Sequence, residues 1–313
     1  MRDAFVDSLC RAAAADRRVM VLTGDLGFGV LDRFASEYPE QYLNVGVAEQ
    51  NLTGVATGLA LDGHIVFTYS IANFPTLRCL EQIRNDACYH DANVKVVAIG
   101  GGFSYGPLGM SHHATEDLAI LRALPNMTVV APGDDWEAGC ATTALLNTSG
   151  TCYLRLDRSS AAVTPSAETR FEVGQARTIR NGSDVTLVST GGILAEVIEA
   201  ADILAGDRIA CRVVSMHTVK PLDFETVRAA AQETGGIVTI EEHGLNGGLG
   251  SAVAEACMDF GWAPRTFRRL GLPAEFVSAV GSQDYLRKKY GLDGRGIARQ
   301  TASALLSGVP AVL

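Results

Sequence analysis

No two cysteines in this sequence stand at Cys-x-x-Cys spacing, no GxGxxG turn follows the first strand, and no apolar run reaches the roughly 18 residues needed to span a bilayer. The seven cysteines (10, 79, 88, 140, 152, 211 and 257) are scattered without metal-ligand spacing. They read as small buried hydrophobes of a reducing compartment, so no metal site is expected on this chain and the cytoplasm is the expected location. Basic residues are in deficit, with 26 Lys and Arg against 35 Asp and Glu and a net charge of −9. Nucleic-acid binding relies on clustered cations, so such a partner is not expected. The longest basic cluster, Arg287-Lys288-Lys289, reads as a solvated helix end. The N-terminal stretch MRDAFVDSLCRAAAADRR lacks an apolar core before a cleavage site, so neither export nor membrane insertion is expected.

What is present points to two α/β domains. The 313 residues exceed the usual single-domain length of about 100 to 200, the apolar fraction is 47%, and 33 glycines suit many strand-to-helix turns. Strands are expected at 19–22, 42–47, 65–67, 94–99, 127–131 and 153–156, separated by helical spacing that includes 49–61 and 80–89. Single helices between strands imply a mostly parallel sheet flanked by helices. The pattern lapses around Thr164-Pro165-Ser166, which places a first domain at 1–160, a linker at 161–182 and a second domain at 183–313. The second domain repeats the alternation, with strands at 185–189, 210–215 and 237–241, and a last helix at 296–306 that docks on it.

Open parallel sheets put ligands beyond the carboxyl ends of their strands, so the loops after the first four strands share one rim. They carry Gly24-Asp25-Leu26-Gly27, Val47-Ala48-Glu49-Gln50-Asn51, Asn73-Phe74 and the long segment 100–113. Glu49 alone has an ordinary explanation, because a carboxylate in the first turn offsets the helix dipole. Gly54, Ala56, Gly58 and Ala60 follow it, small residues that suit close approach of another chain.

The run Tyr42-Leu43-Asn44-Val45-Gly46-Val47-Ala48-Glu49-Gln50-Asn51 resembles the strand-to-helix segment of transketolases and 1-deoxyxylulose-5-phosphate synthases. In that family the glutamate hydrogen-bonds N1′ of the thiamine diphosphate pyrimidine and promotes its imino tautomer. Burial that raises a carboxylate pKa suits such a role, so the resemblance makes Glu49 catalytic and cofactor-binding. Asn73-Phe74 resembles the place where an aromatic ring stacks on the pyrimidine, and Asp25 falls where the family has an acid near the cofactor. Gly109-Met110-Ser111-His112 resembles the Gly-x-Thr-His turn, which implies that His112 faces substrate as an acid or donor. Arg158 matches a substrate-phosphate arginine and Arg2 a second, with Arg155 as an alternative to Arg158 unless strand alternation points it elsewhere. His113 reads as structural, while His243 and Asn246 sit in a Gly-rich loop that either shapes a turn or faces another chain. Val219-Lys220-Pro221-Leu222-Asp223 and Glu241-Glu242-His243-Gly244-Leu245-Asn246-Gly247-Gly248 look like the family's C-terminal domain, and the resemblance covers the whole chain.

The family grips diphosphate and a divalent metal with a Gly-Asp-Gly motif in a separate N-terminal domain, and this sequence has no Gly-Asp-Gly. The resemblance therefore implies the C-terminal subunit of a split transketolase. An N-terminal partner would supply the diphosphate and Mg2+ ligands, in an α2β2 heterotetramer acting on sugar phosphates in carbohydrate metabolism. Gly100 and Leu108 stand where transketolases have a histidine and an acid that recognise sugar hydroxyls, which puts substrate choice in question. The alternatives are the β subunit of a 2-oxo acid dehydrogenase, a 1-deoxyxylulose-5-phosphate-synthase-like enzyme, and a non-catalytic scaffold.

Overall fold

The structure is a computed structural model, and it describes residues 1–307. In chain order the first part comprises α1 (Arg2–Ala15), β1 (Val19–Thr23), α2 (Asp32–Glu37), β2 (Tyr42–Asn44), α3 (Glu49–Leu61), β3 (Ile65–Ile71), α4 (Leu80–Gln82), β4 (Val94–Ile99), α5 (Asp117–Ala123), β5 (Met127–Val130), α6 (Asp135–Leu146) and β6 (Thr151–Leu156). The second comprises β7 (Arg177–Arg180), β8 (Val185–Thr190), α7 (Leu194–Gly206), β9 (Cys211–Ser215), β10 (Thr218–Lys220), α8 (Phe224–Glu233), β11 (Ile237–Gly244), α9 (Leu249–Asp259), β12 (Phe267–Leu272), α10 (Gln283–Lys289) and α11 (Gly294–Ser307).

Two sheets result, ordered β10-β5-β6-β4-β3-β1-β2 and β12-β11-β8-β9-β7. Every pairing is parallel except those of β10 with β5 and β7 with β9. Strand periodicity fills both faces, as helix-covered parallel sheets require. On β4, Val94, Val96 and Ala98 pack with Leu52 and Ala56 of α3 and Leu118 and Leu121 of α5. Val97 and Ile99 pack oppositely, with Phe5 and Leu9 of α1 and Ala138 and Leu145 of α6. The second sheet lies between α7 with α11 and α8 with α9; Ile297 and Ala298 of α11 join the Leu194 and Val197 cluster, so the last helix docks as expected.

Several elements differ from the sequence expectations, each for a local reason. Strand β2 stops at Asn44 rather than 47, because the Asn44 amide oxygen accepts from the backbone N–H of Asp25 (2.9 Å) and Gly46 (3.0 Å) and Gly46 takes φ +77°. The helix expected at 80–89 widens after α4 into a π-helical stretch, Ile83–Cys88. The expected linker contains β7, whose Arg-Thr-Ile-Arg sequence carries no apolar alternation and forms an edge strand. Strand β10, although it follows β9, crosses over to pair with β5 of the first sheet. Arg287 is not a solvated helix end: it is 2% exposed, donates to Glu242, and reaches Ser159 Oγ at 2.9 Å. The small residues of α3 do not share a face either. Gly54 and Gly58 are exposed while Ala56 is buried, because residues two apart lie on nearly opposite sides of a helix.

Candidate active site

The carboxyl ends of β1, β2, β3, β4 and β6 meet at one rim, and the candidate residues stand on it in two groups. The first centres on Glu49, in the opening turn of α3. No side chain caps this helix, so the carboxylate of Glu49 is the negative charge at the exposed positive end of the dipole. Glu49 is 3% exposed, and its Oε2 accepts a 2.8 Å hydrogen bond from Arg78 Nη1. The Arg78 guanidinium also lies 4.7 Å from the centre of the Phe74 ring. A planar N–H donor thus bridges an aromatic face and a buried carboxylate. Arg78 was not singled out from the sequence; its place four residues beyond Phe74 was the available signal.

The second group is held by the segment after β4. Asn73 Nδ2 donates to the backbone oxygen of His113 at 2.7 Å, which pins the 111–113 turn against the end of β3. His112 then stands edge-on to Phe74, with ring centres 5.2 Å apart, and its Nδ1 lies 3.0 Å from Ser111 Oγ. His113 points the other way. It is 2% exposed, packs edge-on to Phe103 at 5.1 Å, and burial pulls its pKa down, which is the structural role expected of it. Tyr105 is a further residue that no sequence motif marked: its ring lies 6.3 Å from His112 and 5.6 Å from the Arg158 guanidinium. Arg158 is exposed, and Arg2 is near enough for its charge to act on the Tyr105 phenol together with that of Arg158.

Asp25 lies on the rim too, with φ +59°, but its exposed carboxylate accepts from Asn44 Nδ2 at 3.2 Å. Its neighbour Gly24 is the closer one to Glu49: a Cβ there would lie 3.7 Å from the Glu49 Cγ. Arg155 is withdrawn from the rim altogether. It is 1% exposed and donates to the backbone oxygen of Glu242 at 2.9 Å, with Asp117 at 3.5 Å and Asp157 at 3.8 Å. Alternation along β6 sends Arg155 under the site while Arg158, beyond the strand end, stays above it. His243 is likewise buried, with Nδ1 2.7 Å from the Gly244 oxygen and Nε2 accepting from the Ala119 N–H at 3.3 Å, so it serves the turn. Asn246 is exposed and lines a cleft of about 470 Å3 with Asn73, Met110, Leu245 and Phe276. That cleft borders the 110–113 turn but holds neither Glu49 nor Phe74.

Three consecutive glycines fix the floor of the second group. A Cβ on Gly100, which has φ +104°, would run into the Tyr105 ring; one on Gly101 would meet Arg155 and Asp157, and one on Gly102 would meet Glu242. The buried ions Arg155, Asp117, Asp157, Glu242 and Arg287 lie directly beneath and join the two sheets. Among the described residues no cluster of three or more His, Cys, Asp and Glu is placed to hold a metal ion, and no helix is long and apolar enough to cross a membrane.

This rim, formed where a parallel sheet ends and carrying a buried glutamate beside an aromatic ring, agrees with two family models. The transketolase pyrimidine-binding domain matches residues 1–163 and the transketolase C-terminal domain matches residues 174–297, so the chain belongs to the transketolase family. Within it, the chain is similar over nearly its whole length to separate subunits. The 6-deoxy-6-sulfo-D-fructose transketolase subunit of Clostridium sp. (strain MSTE9) is 39% identical over 96% of this chain and 92% of its own length. An apulose-4-phosphate transketolase subunit of Phocaeicola vulgatus is 36% identical, over 95% of each chain. A solved structure described as a split gene transketolase, inactive beta4 tetramer, superposes with a TM-score of 0.88 at 37% identity, covering 98% of this chain and 99% of that one.

Proposed function

We propose that this chain is the C-terminal subunit of a split, thiamine-diphosphate-dependent transketolase, which moves a two-carbon ketol unit from a ketose phosphate to an aldose acceptor. The observation that carries the reading is the bridge from Phe74 through Arg78 to Glu49. The guanidinium makes the two contacts that an aminopyrimidine ring requires, a stack on an aromatic face and a donated hydrogen bond to a buried carboxylate, so these residues fit the cofactor's pyrimidine. Thiamine diphosphate, when bound, supplies the nucleophilic carbon that breaks the ketose carbon–carbon bond and carries the two-carbon unit.

The chain's own part follows from its geometry. Glu49 Oε1 accepts no hydrogen bond among the described residues and is free to hold a proton on a ring nitrogen. Phe74 sets the plane of the ring. His112, held by Asn73 and Ser111, faces the substrate and hydrogen-bonds its oxygens. Arg158 and Arg2 attract the anionic end. Asp25 orients the loop beside the cofactor through Asn44.

A second, N-terminal chain brings the diphosphate and Mg2+ ligands, in an α2β2 assembly of the cytoplasm. Residues 1–160 form the pyrimidine-facing domain and 183–313 the C-terminal domain, of which 308–313 lie outside the described residues. The similarity to subunits of split enzymes supports this division of labour. The test is to combine this chain with its N-terminal partner, thiamine diphosphate and Mg2+ and to assay ketol transfer. Glu49→Ala is expected to lower kcat by about 10²- to 10⁴-fold, the range for a lost proton-transfer group; an unchanged rate would sink the assigned role.

A further inference from the structure

We infer that Tyr105 is a substrate-positioning residue that hydrogen-bonds a mid-chain hydroxyl of the sugar, in the space that a side chain at residue 100 would otherwise fill. The inference rests on the transketolase reading above and goes further by naming what discriminates one donor from another.

Residue 100 follows β4, where its N–H donates to the Leu156 oxygen at 2.7 Å, and it turns with φ +104°. With no Cβ at that point the Tyr105 ring lies directly on the backbone. Any larger residue at 100 displaces the ring. The next two residues, Gly101 and Gly102, sit on the buried Arg155, Asp157 and Glu242 side chains, so the loop carrying Tyr105 rests on a rigid floor. The position of the ring is therefore determined from below.

Tyr105 neighbours both His112 and Arg158. Phe74 and His112 are 5.2 Å apart, His112 and Tyr105 6.3 Å, and the Arg158 guanidinium stands 5.6 Å from the Tyr105 ring. A sugar with its reacting carbons near His112 and its anionic group at Arg158 must lie across Tyr105. No described residue hydrogen-bonds the phenol hydroxyl, although Tyr105 is only partly exposed. Burial raises its pKa while Arg158 and Arg2 oppose the rise, so near neutral pH the group is a neutral O–H able to donate and accept. A site built to pair a substrate hydroxyl rejects an analogue that lacks it, because the site's own polar group is left unpaired.

The experiment uses the reconstituted two-chain enzyme with thiamine diphosphate and Mg2+. The donor is D-xylulose 5-phosphate or D-fructose 6-phosphate, whichever is turned over faster, alongside its 4-deoxy analogue. Wild type is expected to prefer the hydroxylated donor by about 10-fold or more in kcat/KM. Tyr105→Phe keeps the ring and removes only the hydroxyl; it is expected to raise the donor KM by about 10-fold and to bring the preference close to 1, with kcat changed less than KM. A purely packing role predicts that Tyr105→Phe leaves both KM and the preference as in wild type, and that result overturns the inference while leaving ketol transfer standing. If wild type transfers no ketol unit from either donor, the transketolase reading itself falls, and the role of Tyr105 with it. Tyr105→Ala is the companion variant: loss of KM and preference there, with full retention of both in Tyr105→Phe, also overturns the hydroxyl's role.

Discussion

Glu137→Gln is expected to flatten the pH dependence of this protein's stability. Glu137 is fully buried in the first turns of α6, where its Oε2 accepts from the Gly133 N–H at 2.7 Å and from Ser215 Oγ at 2.9 Å, and its Oε1 from Arg177 Nη1 at 3.1 Å. Burial, reinforced by the neighbouring Asp134, outweighs these donors and raises its pKa from 4.5 to about 7. Because the folded state holds this proton more tightly than the unfolded one, the contribution is fully present below about 4.5 and is lost as pH rises through about 7. At 1.36 kcal/mol per pKa unit, the interval corresponds to a loss of about 3 kcal/mol. Glutamine cannot ionise, so the variant lacks this pH-dependent loss and is expected to gain about 2 to 3 kcal/mol on wild type between pH 5 and pH 8. Urea unfolding of the two proteins at pH 5, 6, 7 and 8 reads the difference directly. A gap between wild type and variant that stays constant across these pH values would refute the reasoning.

Two further outcomes follow from the charged network and from the Glu49 bridge. Arg155→Met leaves Asp117 and Asp157 buried without their guanidinium and is expected to cost about 3 to 5 kcal/mol, read by denaturant unfolding; a loss below 1 kcal/mol would contradict the assigned linkage of the two sheets. Arg78→Met leaves Glu49 without its ion pair, and because Arg78 is 47% exposed the coupling in a double-mutant cycle with Glu49→Gln is expected to be only about 1 kcal/mol, whereas strict additivity would show that the pair does not interact in solution.

The sequence was legible where local chemistry is decisive. Helix α3 begins and ends at Glu49 and Leu61 as its pattern dictates, and β4 spans Val94–Ile99 because six consecutive residues are buried in a sheet covered on both sides. The loops after β1, β2, β3 and β4 fall on one rim because a parallel sheet has only one carboxyl edge. Strand β7, by contrast, was hidden because its Arg-Thr-Ile-Arg edge sequence has no apolar alternation, and Arg287 was misread because its partners Glu242 and Ser159 lie 45 and 128 residues away in the chain.

The sequence by itself thus determined the α/β alternation and the rim on which Glu49, Phe74 and His112 stand, since strand and loop assignments depend on residues close together in the chain. Only the tertiary structure decided that Arg78 pairs with Glu49 across 29 residues, that Arg155 goes beneath the site while Arg158 stays on it, and that Tyr105 fills the space over Gly100. Those outcomes depend on which side chains meet when separate strands are brought together, and no periodicity in the chain records such meetings.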